Sequence, residues 1–460
     1  MLDDPLIAAL RARAPRSRVL VEEDIPSGYL HDEAAGAPFG QARALVLPQD
    51  TPDVCAIVGT CAEFDVPLVP RGAGTGLSGG ANAVDGCVVI STERMNQVRE
   101  VDVENQTATV QPGVVNDDLK RLCAEHGLWY PPDPASSAWS TIGGNVATNA
   151  GGICCVKYGV TGDHVLGLEV VVGDGTAVRL GCHTVKGVAG YDLRGLFVGS
   201  EGTLGVVTEV TLRLRSRNRT PPVTVVGFFK ELADAGRAVA AVAACGVTPA
   251  ALELVDRNCL RAVDEWKRTG MDRDAAVLLL ARSDAPPGAA EEEGRVLMDC
   301  FNGAGATWAD VSTDPVESEA LFEARRLAYP ALARLGPVLT EDVCVPRRHV
   351  PEMLARISDI SATWEIPVAN IAHAGDGNLH PLIRMPSLDA AATVRVQHVF
   401  DEIMDAAIAL SGTVTAEHGI GLLKRDGMRR EMSLAVIAMQ RSVKEALDPR
   451  GIFNPGKILG

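Results

Sequence analysis

The sequence predicts an α+β chain in which a loop-rich ligand-binding half precedes a ferredoxin-like α+β half. Three observations carry this reading. Glycine-rich loops punctuate the first half at about residues 72–81, 143–152 and 199–205, among alternating strand and helix patterns. From residue 223 the order becomes strand, helix, strand, strand, helix, strand, which suits a ferredoxin-like sheet. Between the two, RSRNRTPP at 215–222 breaks the composition and marks a boundary. A chain of 460 residues is also too long for one core. The expected divisions are a lead-in over 1–40, a ligand domain over 41–217, a second domain over 218–420, and a segment over 421–460 that returns to the first domain.

Each element follows from its local pattern. MLDDPLIAALRARAP starts acidic and lacks a long apolar run, so it reads as a short amphipathic helix and not as a secretory signal. Residues 42–47 form a strand. Residues 51–64 form a helix with Thr51 as cap, Pro52 at the first helical position, and apolar residues at 54, 57, 58 and 61. Strands follow at 87–91 and 107–111, and a helix at 116–125. Residues 130–152 read as one long Pro/Gly/Ser/Asn loop, and such loops inside folded domains are usually functional. Asp174-Gly175 joins two strands as a hairpin, and 196–214 runs from a glycine-punctuated turn into an alternating strand. In the second half, strands fall at 223–229, 251–255 and 276–281, with helices at 233–245 and 289–302. Helical stretches at 317–335, 390–411 and 434–447 complete the set.

The loop RGAGTGLSGGA, 71–81, carries a concentrated anion-binding signal. Its glycines permit positive φ, so consecutive N–H groups can converge on phosphate oxygens, and Thr75 and Ser78 add hydroxyls. The third glycine of a G-x-G-x-x-G fingerprint is misplaced and no helix opens there, which disfavours a Rossmann nicotinamide site.

A second chemical signal lies in HAGDGNLH, 373–380. Apolar runs flank Asp376-Gly377, a strong hairpin signature. With these two as the central turn residues, His373 pairs directly with His380, their Cβ atoms about 5 Å apart, a spacing from which two imidazoles can share a metal ion.

Composition excludes several classes. The net charge of −16 disfavours nucleic-acid binding. Eleven cysteines without a C-x-x-C spacing suit a reducing compartment and argue against an iron–sulfur cluster held by this chain alone. No apolar run is long enough to span a membrane. These features suit a cytoplasmic protein, with attachment to a membrane through partners left open, as is a homodimer.

Together, PRGAGTGLSGG, PPDPASSAWSTIGGNVATNAGG, KYGVTGDHVLGLEVV and GSEGTLGVVTEVTL resemble the FAD-linked oxidoreductases of the vanillyl-alcohol oxidase and p-cresol methylhydroxylase fold. HAGDGNLHP, AEHGIGLLK and DPRGIFNPGKIL resemble its D-2-hydroxy acid dehydrogenase branch, with cytochrome-type D-lactate dehydrogenase and the glycolate oxidase flavin subunit. The resemblance implies a two-subdomain FAD-binding domain of p-cresol methylhydroxylase type and a ferredoxin-like substrate (cap) domain. It places FAD on Arg71, Gly72, Ala73, Gly74, Thr75, Gly76, Leu77 and Ser78. Further contacts would come from Pro132, Asp133, Thr141, Gly144, Asn145, Gly151, Asp163, Val165, Glu201, Gly205, Val206 and Asn454. No histidine lies in 71–81, so the flavin is expected to be non-covalent.

The same resemblance makes His373, His380 and Glu417 ligands of a divalent metal, with His418 as general base and Arg325 as the clamp for a substrate carboxylate. Arg326 is the runner-up for the clamp. Two imidazoles and a carboxylate suit Zn²⁺ or Mn²⁺. The implied reaction is metal-assisted deprotonation of a C2 hydroxyl with hydride transfer to FAD. Thr340 stands where D-2-hydroxyglutarate dehydrogenases carry a basic residue, which favours a small acid such as D-lactate or glycolate. D-2-hydroxyglutarate, or an O2-using oxidase of this fold, is the alternative. Electrons would leave to an external acceptor: a cytochrome, a quinone through partner subunits, or an electron-transfer flavoprotein.

Overall fold

The strand Ala44–Leu47 is buried along its whole length, and in a computed structural model of the chain it pairs in parallel with Val88–Ser91. The structure describes residues 4–218, 220–268, 270, 272–385, 387 and 390–460. The start of the N-terminal stretch, residues 1–3, lies outside them. The chain forms two compact units: Met1–Gly151, Gly159–Arg217 and Glu417–Gly460 make one, and Gly152–Tyr158 with Asn218–Ala416 make the other.

Among the described residues the first unit holds two larger sheets and a two-stranded pairing of Leu128–Trp129 with Arg215–Ser216. In one, Val88–Ser91 lies between Ala44–Leu47 and Leu68–Arg71, parallel to both, and Arg18–Val21 pairs antiparallel at the edge. The helix Thr51–Glu63 makes the crossover and buries Val54, Ile57, Val58 and Cys61. The predicted cap is one residue off. Asp50 is the N-cap and accepts from Asp53 N at 3.2 Å, because a carboxylate is the stronger acceptor at the positive end of a helix. The N-terminal helix Pro5–Arg13 buries Leu6, Ile7 and Leu10 in the same core.

The other sheet is antiparallel, in the order Val98–Asp102, Thr107–Val110, Val206–Arg213, Val165–Val171, Ala177–Gly181. The stretch expected to be one loop over 130–152 contains the helix Ile142–Thr148. Thr141 accepts from Gly144 N at 3.3 Å and caps a turn that its glycines concealed. The tail returns to this unit. Leu68 N donates to Ile452 O at 2.7 Å, and Asn454 N donates to Leu68 O at 2.8 Å.

The second unit carries an extended antiparallel sheet. Its first four strands, Val223–Phe229, Ala251–Asp256, Val277–Ser283 and Trp308–Ser312, stand in the spatial order fourth, first, third, second, as a ferredoxin-like sheet requires. A helix absent from the sequence reading, Arg257–Lys267, joins the second strand to the third. The strand Val368–His373 extends this sheet beside Ala251–Asp256, followed by Asn378–Arg384 and Val338–Thr340. The helical stretch at 317–335 is two helices, Pro315–Arg326 and Ala328–Ala333. Among the described residues no helix is long and apolar enough to cross a membrane.

The 368–384 hairpin differs from its expected register. His373 pairs with Asn378, and His380 pairs with Ile371. His373 O accepts from both Asp376 N at 3.2 Å and Gly377 N at 3.1 Å, so the loop spans residues 374–377. Gly377 sits at φ +90°, and a Cβ there would lie 2.1 Å from Val345 O. We therefore expect Gly377→Ala to destabilise the protein by roughly 2 kcal/mol or more, since it combines positive φ with a backbone collision. Urea unfolding of the variant against the parent measures this.

Candidate active site

The revised register leaves both hairpin histidines on one face. A shift of two residues preserves side-chain facing, so His373 and His380 become diagonal neighbours. Their ring centroids are 5.1 Å apart with planes at 87°, and both side chains are buried. The strand beside them supplies a residue that sequence reasoning missed. Glu253 pairs directly with His373 and is fully buried. One carboxylate oxygen lies 2.7 Å from His373 Nδ1, and the other 2.8 Å from Arg325 Nε. Burial opposes ionisation of Glu253, but the charges of His373 and Arg325 outweigh it and hold the carboxyl below its ordinary range.

Arg325 reaches this carboxylate from the last turn of the helix Pro315–Arg326 and is 8% exposed. Arg326 turns outward to Glu319 and Glu323, so of the two candidate arginines only Arg325 joins the buried cluster. A second missed carboxylate is Asp342. It accepts from Asn378 Nδ2 at 2.7 Å, Thr415 Oγ1 at 2.8 Å and Ala416 N at 2.8 Å, and lies 3.5 Å from His380 Nδ1. For Glu253 the available signal was an acidic residue inside an apolar strand run, ALELV, whereas Asp342 lies between the strands Val338–Thr340 and Val343–Cys344, where no such run marks it. Thr340 ends the strand Val338–Thr340 opposite Leu382. Two imidazoles with a nearby carboxylate fit a divalent cation by donor chemistry.

In the first unit the three glycine-rich loops converge. A Cβ on Gly72 would lie 2.5 Å from Thr141 Oγ1, and one on Gly80 would lie 3.0 Å from Glu201 Oε2. Glu201 N donates to Ala147 O at 2.8 Å. Gly74 adopts φ +79°, and the Arg71 guanidinium fills the space its Cβ would take. That guanidinium donates to the carbonyls of Gly28 and His31, so Arg71 braces the loop with its side chain. Ala73, Thr75, Gly76 and Leu77 lie partly exposed on the loop, while Ser78 is buried. Such a cradle of bare backbone fits a pyrophosphate.

The remaining expected FAD contacts also fall in this unit. Asn145 takes an amide proton from Asn116, and Pro132 O accepts from the same side chain. Asp133 is half-buried, and Gly144 lies in the helix Ile142–Thr148. Gly151 is buried, just before the chain enters the second unit. Asp163 accepts from Val160 N at 2.8 Å. Val165 and Val206 start adjacent antiparallel strands, and Gly205 abuts Val171 O. Asn454 donates to Gly80 O and Glu201 O, both at 2.7 Å.

The segment bearing Glu417 and His418 belongs to this unit and is tied to the same loops. Ser78 Oγ donates to His418 O at 3.0 Å, and Ser78 O accepts from Leu422 N at 2.8 Å. Glu201 accepts from Ile420 N at 2.7 Å and Gly421 N at 2.8 Å. Glu417 and His418 are half-buried, with Oε1 and Nε2 3.9 Å apart. Burial pushes the Glu201 carboxyl up to about 7, against the pull of the two backbone donors.

Folded Glu201 keeps a proton that the unfolded chain releases above its ordinary value of 4.5, so this group's contribution to stability falls as pH rises from there to about 7. Urea midpoints across that window are expected to lose this downward component in Glu201→Gln. An identical pH profile for parent and variant would contradict the assignment.

Comparison with known proteins adds two kinds of finding. The model of the FAD linked oxidases, C-terminal domain, matches residues 220–458, and that of an FAD binding domain matches 42–181. The chain is 41% identical to glycolate oxidase subunit GlcD of Bacillus subtilis, over 90% of this chain and 88% of the relative. It is 33% identical to D-lactate dehydrogenase of Anaerostipes hadrus, over 98% and 97%. The solved structure of p-cresol methylhydroxylase with substrate bound superposes with a TM-score of 0.81, covering 98% of this chain and 96% of that one at 17% identity. At that identity the likeness speaks for the fold alone.

Proposed function

The chain belongs to the FAD linked oxidases, and we propose that it oxidises a small D-2-hydroxy acid, D-lactate or glycolate, to the 2-oxo acid. FAD-dependent oxidation of a 2-hydroxy acid is the activity that the names of its relatives support. The observation that carries the finer reading is the buried cluster of His373, His380 and Glu253 on one sheet face, joined by Arg325 from the helix Pro315–Arg326. It combines what a hydroxy acid needs, imidazoles for a Lewis-acidic ion beside a guanidinium for the carboxylate.

The residues take distinct parts. Arg325 turns its Nε edge to Glu253 in an ion pair, and its Nη groups would hold the substrate carboxylate. His373, His380 and Glu417 would hold Zn²⁺ or Mn²⁺. His418 would take the C2 hydroxyl proton as general base, its main chain fixed by Ser78. Arg71–Ser78, Thr141, Gly144, Asn145, Glu201 and Asn454 would hold FAD without a covalent bond. When bound, FAD supplies the two-electron acceptor and the metal a Lewis acid. Re-oxidation would fall to a cytochrome, a quinone through partner subunits, or an electron-transfer flavoprotein.

Anaerobic bleaching of the purified protein's flavin band is the direct test. D-lactate or glycolate is expected to bleach it faster than L-lactate or D-2-hydroxyglutarate, and preference for the L-isomer or the diacid would overturn the substrate assignment. His418→Asn is expected to slow bleaching by roughly 10²–10⁴-fold, the usual contribution of a positioned general base. Chelation should abolish bleaching, and Zn²⁺ or Mn²⁺ should restore it.

A further inference from the structure

We infer that Glu253 is a positioning residue that orients the metal-ligating His373 and the clamp Arg325 with one carboxylate. The inference rests on the metal reading proposed above and deepens it. Glu253 is fully buried, and sheet register sets it directly opposite His373. An ionised carboxylate only accepts hydrogen bonds. At 2.7 Å from Nδ1 it therefore requires the imidazole proton on that nitrogen, which turns the Nε2 lone pair away from Glu253. Its second oxygen forms an ion pair with Arg325, 2.8 Å from Nε, and so anchors the guanidinium beside His373. The Nη edge is then left as a two-donor fork for a carboxylate. Stability alone does not account for the arrangement, because apolar side chains commonly replace a buried ion pair without loss.

The two-sided contact gives Glu253→Gln a definite outcome. A glutamine amide has one acceptor end and one donor end. Its oxygen turns to the permanently charged Arg325, and its NH2 faces His373. The imidazole then accepts at Nδ1 and carries its proton on Nε2, where it can no longer bind a metal. In the E253Q/R325M double variant the cation is gone, the amide oxygen is released to His373, and the ligating tautomer returns.

Zn²⁺ affinity of the full-length, FAD-loaded chain, measured by competition with a chelating dye, tests this. E253Q is expected to bind Zn²⁺ about 10–100-fold more weakly than the parent, as loss of a ligand-orienting partner usually does. R325M is expected to keep parental affinity while raising KM for the hydroxy acid, and the double variant is expected to regain most of what E253Q loses. A carboxylate that merely supports the fold would lower Tm without this rescue. Parental Zn²⁺ binding by E253Q, or a double variant no tighter than E253Q, overturns the inference alone. A parent that takes up no Zn²⁺ overturns the metal reading, and the inference with it. Should E253Q fail to fold, E253D serves. Its shortened carboxylate cannot span both partners, and parental values of both Zn²⁺ affinity and KM in E253D would overturn the proposal.

Discussion

A carboxylate withdrawn from water must be surrounded by donors, and this requirement ties together segments far apart in the sequence. Asp256 caps the helix Arg257–Lys267 through Cys259 N and also accepts from Asn370 N, joining that helix to a strand more than a hundred residues on. Glu253, three residues earlier, binds one strand to another and both to a helix. Asp342 gathers Asn378, Thr415 and Ala416. In the first unit Glu201 does the same for Ile420 and Gly421. Hydrophobic burial builds the sheets, but it has no direction. The buried acids supply direction, and the site residues cluster around them because hydrogen bonds to a charge have strict geometry.

Much of this was legible in the sequence. Glycine spacing marked the three converging loops, and the Asp-Gly pair at 376–377 marked the hairpin. The details that failed did so for physical reasons. The hairpin register depended on whether 376–377 or 374–377 closes the turn, and the carbonyl of Val345 packed against Gly377 is a tertiary constraint no local pattern carries. The helix Ile142–Thr148 contains two adjacent glycines whose intrinsic preference opposes a helix, yet Gly143 lies so close to Pro112 that a side chain would not fit. Glu253 was hidden differently. Every residue of its strand is buried, so no alternation separated the functional face from the packing face.

The fold and the chemistry come from separate sources. A structure superposing at 17% identity shares the architecture and says nothing of substrate. What narrows the chemistry is the relatives named for glycolate and D-lactate. Thr340 bears on the same question. It is neutral, so it offers a carboxylate no ion pair.

The course of the chain has a consequence for how the protein is made. Leu68 bonds to Ile452 and Asn454, and Asn454 closes onto Gly80 and Glu201. All of residues 218–416 are synthesised between these partners. A nascent chain therefore emerges with the edge of its first sheet unpaired, and it stays so until the ribosome has passed residue 454. Flavin uptake into a finished cradle is then a late event in biogenesis, and the exposed edge at Leu68 is where a chaperone would have most to guard.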